Sequence, residues 1–190
     1  MRTIKKSIIA LGLALAFVAA ANLAAPRAYA QTGRDNNNRQ TIIKQVQHKL
    51  LMLPYYGVFD NLAYKVEGDT VTLYGQVVRP ITRKDAERSV AGIPGVARVV
   101  NNIEVLPLSS YDDAIRARTY RQIFGTASLY RYAMGNNPSL HIIVNNGHVS
   151  LEGMVGDRTD SQLAYMAARS VPGVFSVTNN LRVEGDDLPR

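Results

Sequence analysis

The sequence predicts an α/β protein, an α+β two-layer sandwich of two tandem α-β-β-α-β modules, each a three-stranded sheet with two helices on one face. Three observations carry this. The chain repeats itself at an offset of 78 residues: 13 of the 42 positions from Tyr64 to Val105 recur without a gap in Ile142 to Val183, where ordinary composition would give about two or three. Each copy holds two apolar–polar alternations flanking a turn, which is hairpin patterning. Apolar residues at helical spacing precede the first hairpin, and cap and turn residues bracket a second helix in each copy.

In the first copy Ile42, Val46, Leu50 and Leu53 form one helical stripe. Tyr64 and Val66, the turn Glu67-Gly68-Asp69, and Val71, Leu73, Gly75 and Val77 then make a hairpin. The second copy turns on Asn146-Gly147, both tolerant of positive φ. A second helix is expected from Thr82, capped by that hydroxyl with Asp85 three residues on and an Ile81/Ala86 staple; Asp160 is the corresponding cap in copy two. Pro94-Gly95 and Pro172-Gly173 turn the chain into last strands at Val96–Val105 and Val174–Val183. Gly75 and Gly153 inside strands mark a bulge or a close approach. The first helix of copy two, from about Asp112, is Arg- and Tyr-rich, and Gly125 predicts that it is long, kinked or split there. The expected boundaries are 1–30 a signal peptide, 31–37 a disordered segment, 38–107 the first domain, 108–111 a linker and 112–186 the second domain. Each copy alone is small enough to be marginally stable, so the two are expected to pack on each other.

Arg2, Lys5 and Lys6, then an apolar run from Ile8 to Ala25, then Ala28-Tyr29-Ala30 have the order of a secretory signal cleaved after Ala30. The run is also about long enough for a retained anchor, but Pro26 and the small-residue exit favour cleavage. The chain carries 22 basic and 15 acidic residues. Removing the leader takes away four basic residues (Arg2, Lys5, Lys6, Arg27) and no acidic ones, leaving 18 − 15 = +3. A nucleic-acid partner loses most of its support. Cysteine is absent, which removes disulfides, thiol nucleophiles and a lipidated N-terminal Cys. The expected compartment is the periplasm, with secretion possible.

No residues qualify as catalytic, and no cofactor or metal is expected. His141 and His148 flank the second hairpin, but two histidines are too few for zinc; with His48 they read as surface residues. Asp160 and Asp85 read as capping residues, and no cleft separates the acidic pairs Asp85/Glu87 and Asp157/Asp160 into acid and base. Asn101 and Asn179 share strand parity with apolar neighbours and would need hydrogen-bond partners if partly buried.

Residues 115–134 carry the one functional candidate. Arg116, Arg118, Arg121 and Arg131 lie among Tyr120, Ile123, Phe124, Leu129, Tyr130, Tyr132 and Met134. Guanidinium pairs with phosphate, and the amphipathic tyrosine ring suits headgroup depth. The candidate lipid-binding set is Arg116, Arg118, Tyr120, Arg121, Tyr130, Arg131 and Tyr132. The competing reading is an ordinary amphipathic helix with solvated arginines.

The hairpins Val71-Thr72-Leu73-Tyr74-Gly75 and Val149-Ser150-Leu151-Glu152-Gly153, the Pro-Gly-Val turns at 94–96 and 172–174, and the endings Val99-Val100-Asn101-Asn102-Ile103 and Val177-Thr178-Asn179-Asn180-Leu181 together resemble the BON domain (bacterial OsmY and nodulation) in tandem. The resemblance implies a non-enzymatic envelope protein, soluble in the periplasm or anchored to the outer membrane. It also implies anionic phospholipid as partner and a role in envelope integrity or osmotic stress. The alternative is a soluble chaperone-like or protein-interaction module acting on other envelope proteins.

Overall fold

In each half the strand alternation places one set of side chains inward and pairs the strands around the repeated glycine. The computed structural model describes residues 25–135 and 137–185, with side chains from Asn37 onward. The order is α1 (Ala25–Leu51), β1 (Asn61–Glu67), β2 (Thr70–Val77), α2 (Pro80–Ala91), β3 (Arg98–Val105), α3 (Ser110–Phe124), a 3₁₀ turn (Tyr130–Ala133), β4 (Leu140–Asn145), β5 (His148–Val155), α4 (Arg158–Arg169), β6 (Ser176–Asn179) and β7 (Arg182–Val183). Of the expected signal peptide, residues 1–24 lie outside the described residues. The helical backbone of α1 takes in residues 31–37, where the sequence predicted disorder. Elongating a helix already nucleated by packed turns fixes one residue per hydrogen bond gained.

The two sheets have one topology. β1 runs antiparallel to β2, with Tyr64 opposite Leu73, and β2 runs parallel to β3, with Leu73 opposite Asn101. β4, β5 and β6 repeat this, with Ile142 opposite Leu151 and Leu151 opposite Asn179. The last strand of copy two divides into β6 and β7, both parallel to β5. The helices cover one face: Ile42, Val46 and Leu50 of α1 with Ala86 and Val90 of α2 share a buried core with Val66, Val71, Leu73 and Ile103. In the second module Ile115, Ile123, Ala164 and Ala168 close over Ile142, Val144, Val149 and Leu151.

The asparagines at the ends of the two copies act as clamps between strand and helix. Asn101 donates its amide to the carbonyl of Arg83 (3.1 Å) and to Glu87 (2.9 Å), while its Oδ1 accepts from Ile103 N. Asn179 donates to the carbonyl (3.3 Å) and hydroxyl (2.9 Å) of Ser161 and accepts from Leu181 N. Arg83 and Ser161 are themselves separated by the 78-residue period, so the repeated asparagine keeps one job in both modules.

The helix starts differ from the sequence reading. α2 begins at Pro80, with Arg79 in the N-cap position and no side-chain cap bond. Proline's fixed φ and missing N–H suit the first helical residue, and this places Thr82 inside the first turn, buried, with its hydroxyl unpartnered among the described residues. Asp85, expected as part of a capping box, instead pairs with Arg88. In α4 the cap is Asp157, whose carboxylate accepts from Asp160 N at 2.8 Å, and Asp160 is buried. α3 is capped by Ser109 and ends at Gly125. An alanine Cβ at Gly125 would lie 2.5 Å from the Arg121 carbonyl oxygen, and the chain resumes as the 3₁₀ turn, so the expected break is a split.

β4 is buried on both sides. Leu140, Ile142 and Val144 point into the module's own core, while the outward residues His141 and Ile143 are buried as well. Part of the cover comes from the first module, where Tyr56 and Gly57 meet His141. Val58 and Phe59, in the loop between α1 and β1, pack on the second core, and Ile142 N donates to the Val58 carbonyl at 2.7 Å. Asn145 of β4 donates to Glu104 of β3 at 3.5 Å.

Candidate functional site

α3 and the 3₁₀ turn sort the seven candidate residues by the direction each one faces. Arg116 is only 3% exposed. It donates to Asp113 at 2.6 Å and to the Val144 carbonyl at 2.7 Å. Tyr132 is buried: its hydroxyl donates to Asp160 and accepts from Gly156 N at 2.8 Å. Neither side chain faces outward, so these two residues join α3 and the 3₁₀ turn to the sheet and α4. Arg131 contacts Asp160, sits over the Tyr132 ring at 4.9 Å, and lies 3.9 Å from Asp157. Burial of Asp160 acts to raise its pKa, but the hydrogen bonds from Tyr132 and Arg131 outweigh it and hold the carboxyl below the usual carboxylate range.

The remaining candidates stay on the surface. Arg121 and Tyr130 are exposed, and Arg118 is half-buried with its Nε bonded to the Ala114 carbonyl. Tyr120 is at the exposed margin, edge-on to Phe124 (4.8 Å between centroids) and to Phe59 of the first module (6.2 Å). On α3, Arg118 and Arg121 therefore share one side and Tyr120 lies on another, a narrower set than the sequence suggested. The aromatic side continues into the junction between modules.

That junction contains a cavity of about 530 Å³ lined among others by Tyr55, Tyr56, Phe59, Asp60, Arg79 and Arg116. The Arg79 guanidinium lies 5.0 Å from the Tyr55 ring centroid. Asp60 is buried and accepts from Gly57 N (3.1 Å) and Val78 N (2.8 Å). Burial pushes its pKa above the ordinary value, against the opposing effect of those two amides. In the second module the equivalent amide, Gly156 N, goes to Tyr132 instead, so one orphan donor is satisfied by a carboxylate in one copy and a phenol in the other.

His141 is 8% exposed, which corrects its reading as a surface histidine. Its Nδ1 lies 3.2 Å from the Gly57 carbonyl and its Nε2 3.4 Å from the Tyr56 hydroxyl, with the two rings 5.4 Å apart. Burial holds its pKa below the ordinary histidine value, and raises that of Tyr56 to about 12. His148 is elsewhere, at the hairpin tip, bonded to the Ser176 hydroxyl at 2.7 Å. It pairs with Asn145 whereas His141 pairs with Glu152, which separates the two by about 13 Å along the strands. Packing between the copies was expected, but the residues that make the junction were not. Its one local signal was the unbroken apolar run around His141, since a strand buried on a single face alternates.

A family model described as the BON domain matches residues 38–107 and 112–185. No curated protein matches the chain. Among solved structures, the C-terminal domain of CdsD, the structural protein of the type III secretion system of Chlamydia trachomatis, aligns at 12% identity over 78% of this chain and 98% of that one, with a TM-score of 0.27. A second structure of CdsD aligns at 14% identity over 74% and 91%, with a TM-score of 0.28.

Proposed function

We propose that this chain, which belongs to the BON domain family, is an exported periplasmic protein that binds anionic phospholipid surfaces by contact, without turnover, and so supports envelope integrity or osmotic tolerance. The family is linked to envelope and membrane-associated proteins, and its members are generally non-catalytic. The observation that carries the reading is the surface of α3, where Arg118 and Arg121 remain available on one side and Tyr120 at the exposed margin of another after Arg116 and Tyr132 are drawn inward. Tyr130 lies outside too, 59% exposed, with Arg131 beside it. No helix of the described residues is long and apolar enough to cross a membrane.

The test is co-sedimentation of residues 31–190 with neutral and anionic vesicles at low and moderate salt. Binding to anionic vesicles alone, weakened by salt, is the expected result. Each basic residue near an anionic surface contributes about 1 kcal/mol, so Arg118→Glu with Arg121→Glu is expected to lower partitioning by about thirtyfold or more. Thermal unfolding of the double variant checks that its fold is intact. Unchanged partitioning in a folded double variant would sink the assignment of α3. The second reading, a chaperone-like or protein-interaction module, draws on exposed Leu108 and Phe175. It predicts binding to unfolded envelope proteins and indifference to lipid.

A further inference from the structure

We propose that the junction between the two modules is a pH-gated latch, closed by neutral His141 and released as the medium acidifies. The latch is small and specific. The loop from Pro54 to Asp60 meets β4 through one main-chain bond, Ile142 N to Val58 O, and through the imidazole. With Nδ1 donating to the Gly57 carbonyl, Nε2 carries the lone pair that accepts from the Tyr56 hydroxyl. That arrangement uses the neutral ring completely. Protonation gives the ring a second N–H, removes the acceptor and places a positive charge in a site shielded from water.

The surrounding charges leave burial in control. From the loop, Tyr56 stays neutral through the physiological range and Asp60 directs its carboxylate to Gly57 N and Val78 N. From β5, Glu152 is the register partner of His141, but its carboxylate accepts from the Asn180 amide at 2.6 Å. From β7, Arg182 lines a cavity together with Tyr56 and adds positive charge on that side. The direction of linkage follows. His141 is depressed in the closed junction and ordinary, near about 6.5, once released. The released state then binds more protons below that value, so the latch is fully held above it and weakens as pH falls through it. Asp60, raised by burial, has the opposite sign and acts lower, around the carboxylate range.

The intact protein carries its own reporter, because the Ile142 amide is protected only while the loop is seated. Leu151, its partner at the centre of the same sheet, reports opening of the module itself. Hydrogen exchange by NMR, corrected for intrinsic rates, is expected to show the Ile142/Leu151 protection ratio falling by about fivefold or more from about pH 7.5 to about pH 5.5. His141→Phe keeps a ring against Tyr56 and cannot titrate, so its ratio is expected to stay level. Direct titration of the His141 imidazole in the unaltered protein is expected to place it below the ordinary histidine value, and decides the matter should the variant not fold. A His141 titrating at or above the ordinary histidine value, or a Phe variant retaining the full pH-dependent fall, overturns the proposal.

Discussion

Alanine at Gly153 is expected to destabilise the second module by about 2–4 kcal/mol, among the largest effects of any single methyl in this chain. Two independent causes coincide there. The backbone has φ +109°, a region L side chains rarely adopt, and the added Cβ would lie 2.1 Å from the Ser139 carbonyl oxygen. That oxygen belongs to the main chain leading into β4, and it accepts from Met154 N at 2.8 Å, so no side-chain rotation relieves the overlap. Gly75 repeats the arrangement at φ +112°, 2.0 Å from the Asn61 carbonyl oxygen, and the same loss is expected for the first module. Gly68 is the control. It also has positive φ but faces open space, so alanine there costs about 1 kcal/mol from backbone conformation alone. Urea unfolding of the three variants measures the difference. Equal shifts at Gly153 and Gly68 would contradict the close approach.

Asp112→Ala is expected to cost about 3 kcal/mol or somewhat more. The carboxylate is completely buried in the first turn of α3. It receives Asn146 N at 2.9 Å and Gly147 N at 2.8 Å, the two amides at the tip of the β4–β5 hairpin. Both tip residues have positive φ, and the turn presents its donors to this one side chain. Alanine leaves two shielded N–H groups without an acceptor. The expected signature is a lowered unfolding midpoint, together with faster amide exchange at residues 146 and 147 than within β5. Asp85→Ala breaks a largely exposed ion pair with Arg88 and is expected to stay within about 0.5 kcal/mol. A loss at Asp112 no larger than this would show that the hairpin tip does not depend on it.

The sheets were legible because their signals are local. Period-two alternation, Asn146-Gly147 and the Pro-Gly turns each specify nearby backbone, and the 78-residue offset checked every assignment twice. Helix starts were read less well. Thr82 and Asp160 are chemically suitable caps, but Pro80 and Asp157 each begin the helix earlier, and a choice between adjacent candidates depends on where the preceding strand ends. The candidate face was half legible. Arg118 and Arg121 stay at the surface, yet their place in the sequence could not show that Arg116 would find the Val144 carbonyl 28 residues away, or that Tyr132 would meet Asp160 across the same interval. Packing between the copies was expected, but the residues of the junction were not legible, because its partners, Gly57 and His141, are 84 residues apart and belong to different copies.

The loop seated on β4 also bears on why the tandem is a pair. In the first copy, the segment between the opening helix and the hairpin reaches across to its neighbour. In the second copy, the corresponding segment turns back on its own module, with Leu129 and Tyr132 in the home core and the Tyr132 hydroxyl on Gly156 N. Two otherwise similar copies are therefore not interchangeable: one reaches and the other receives, which gives the pair a direction.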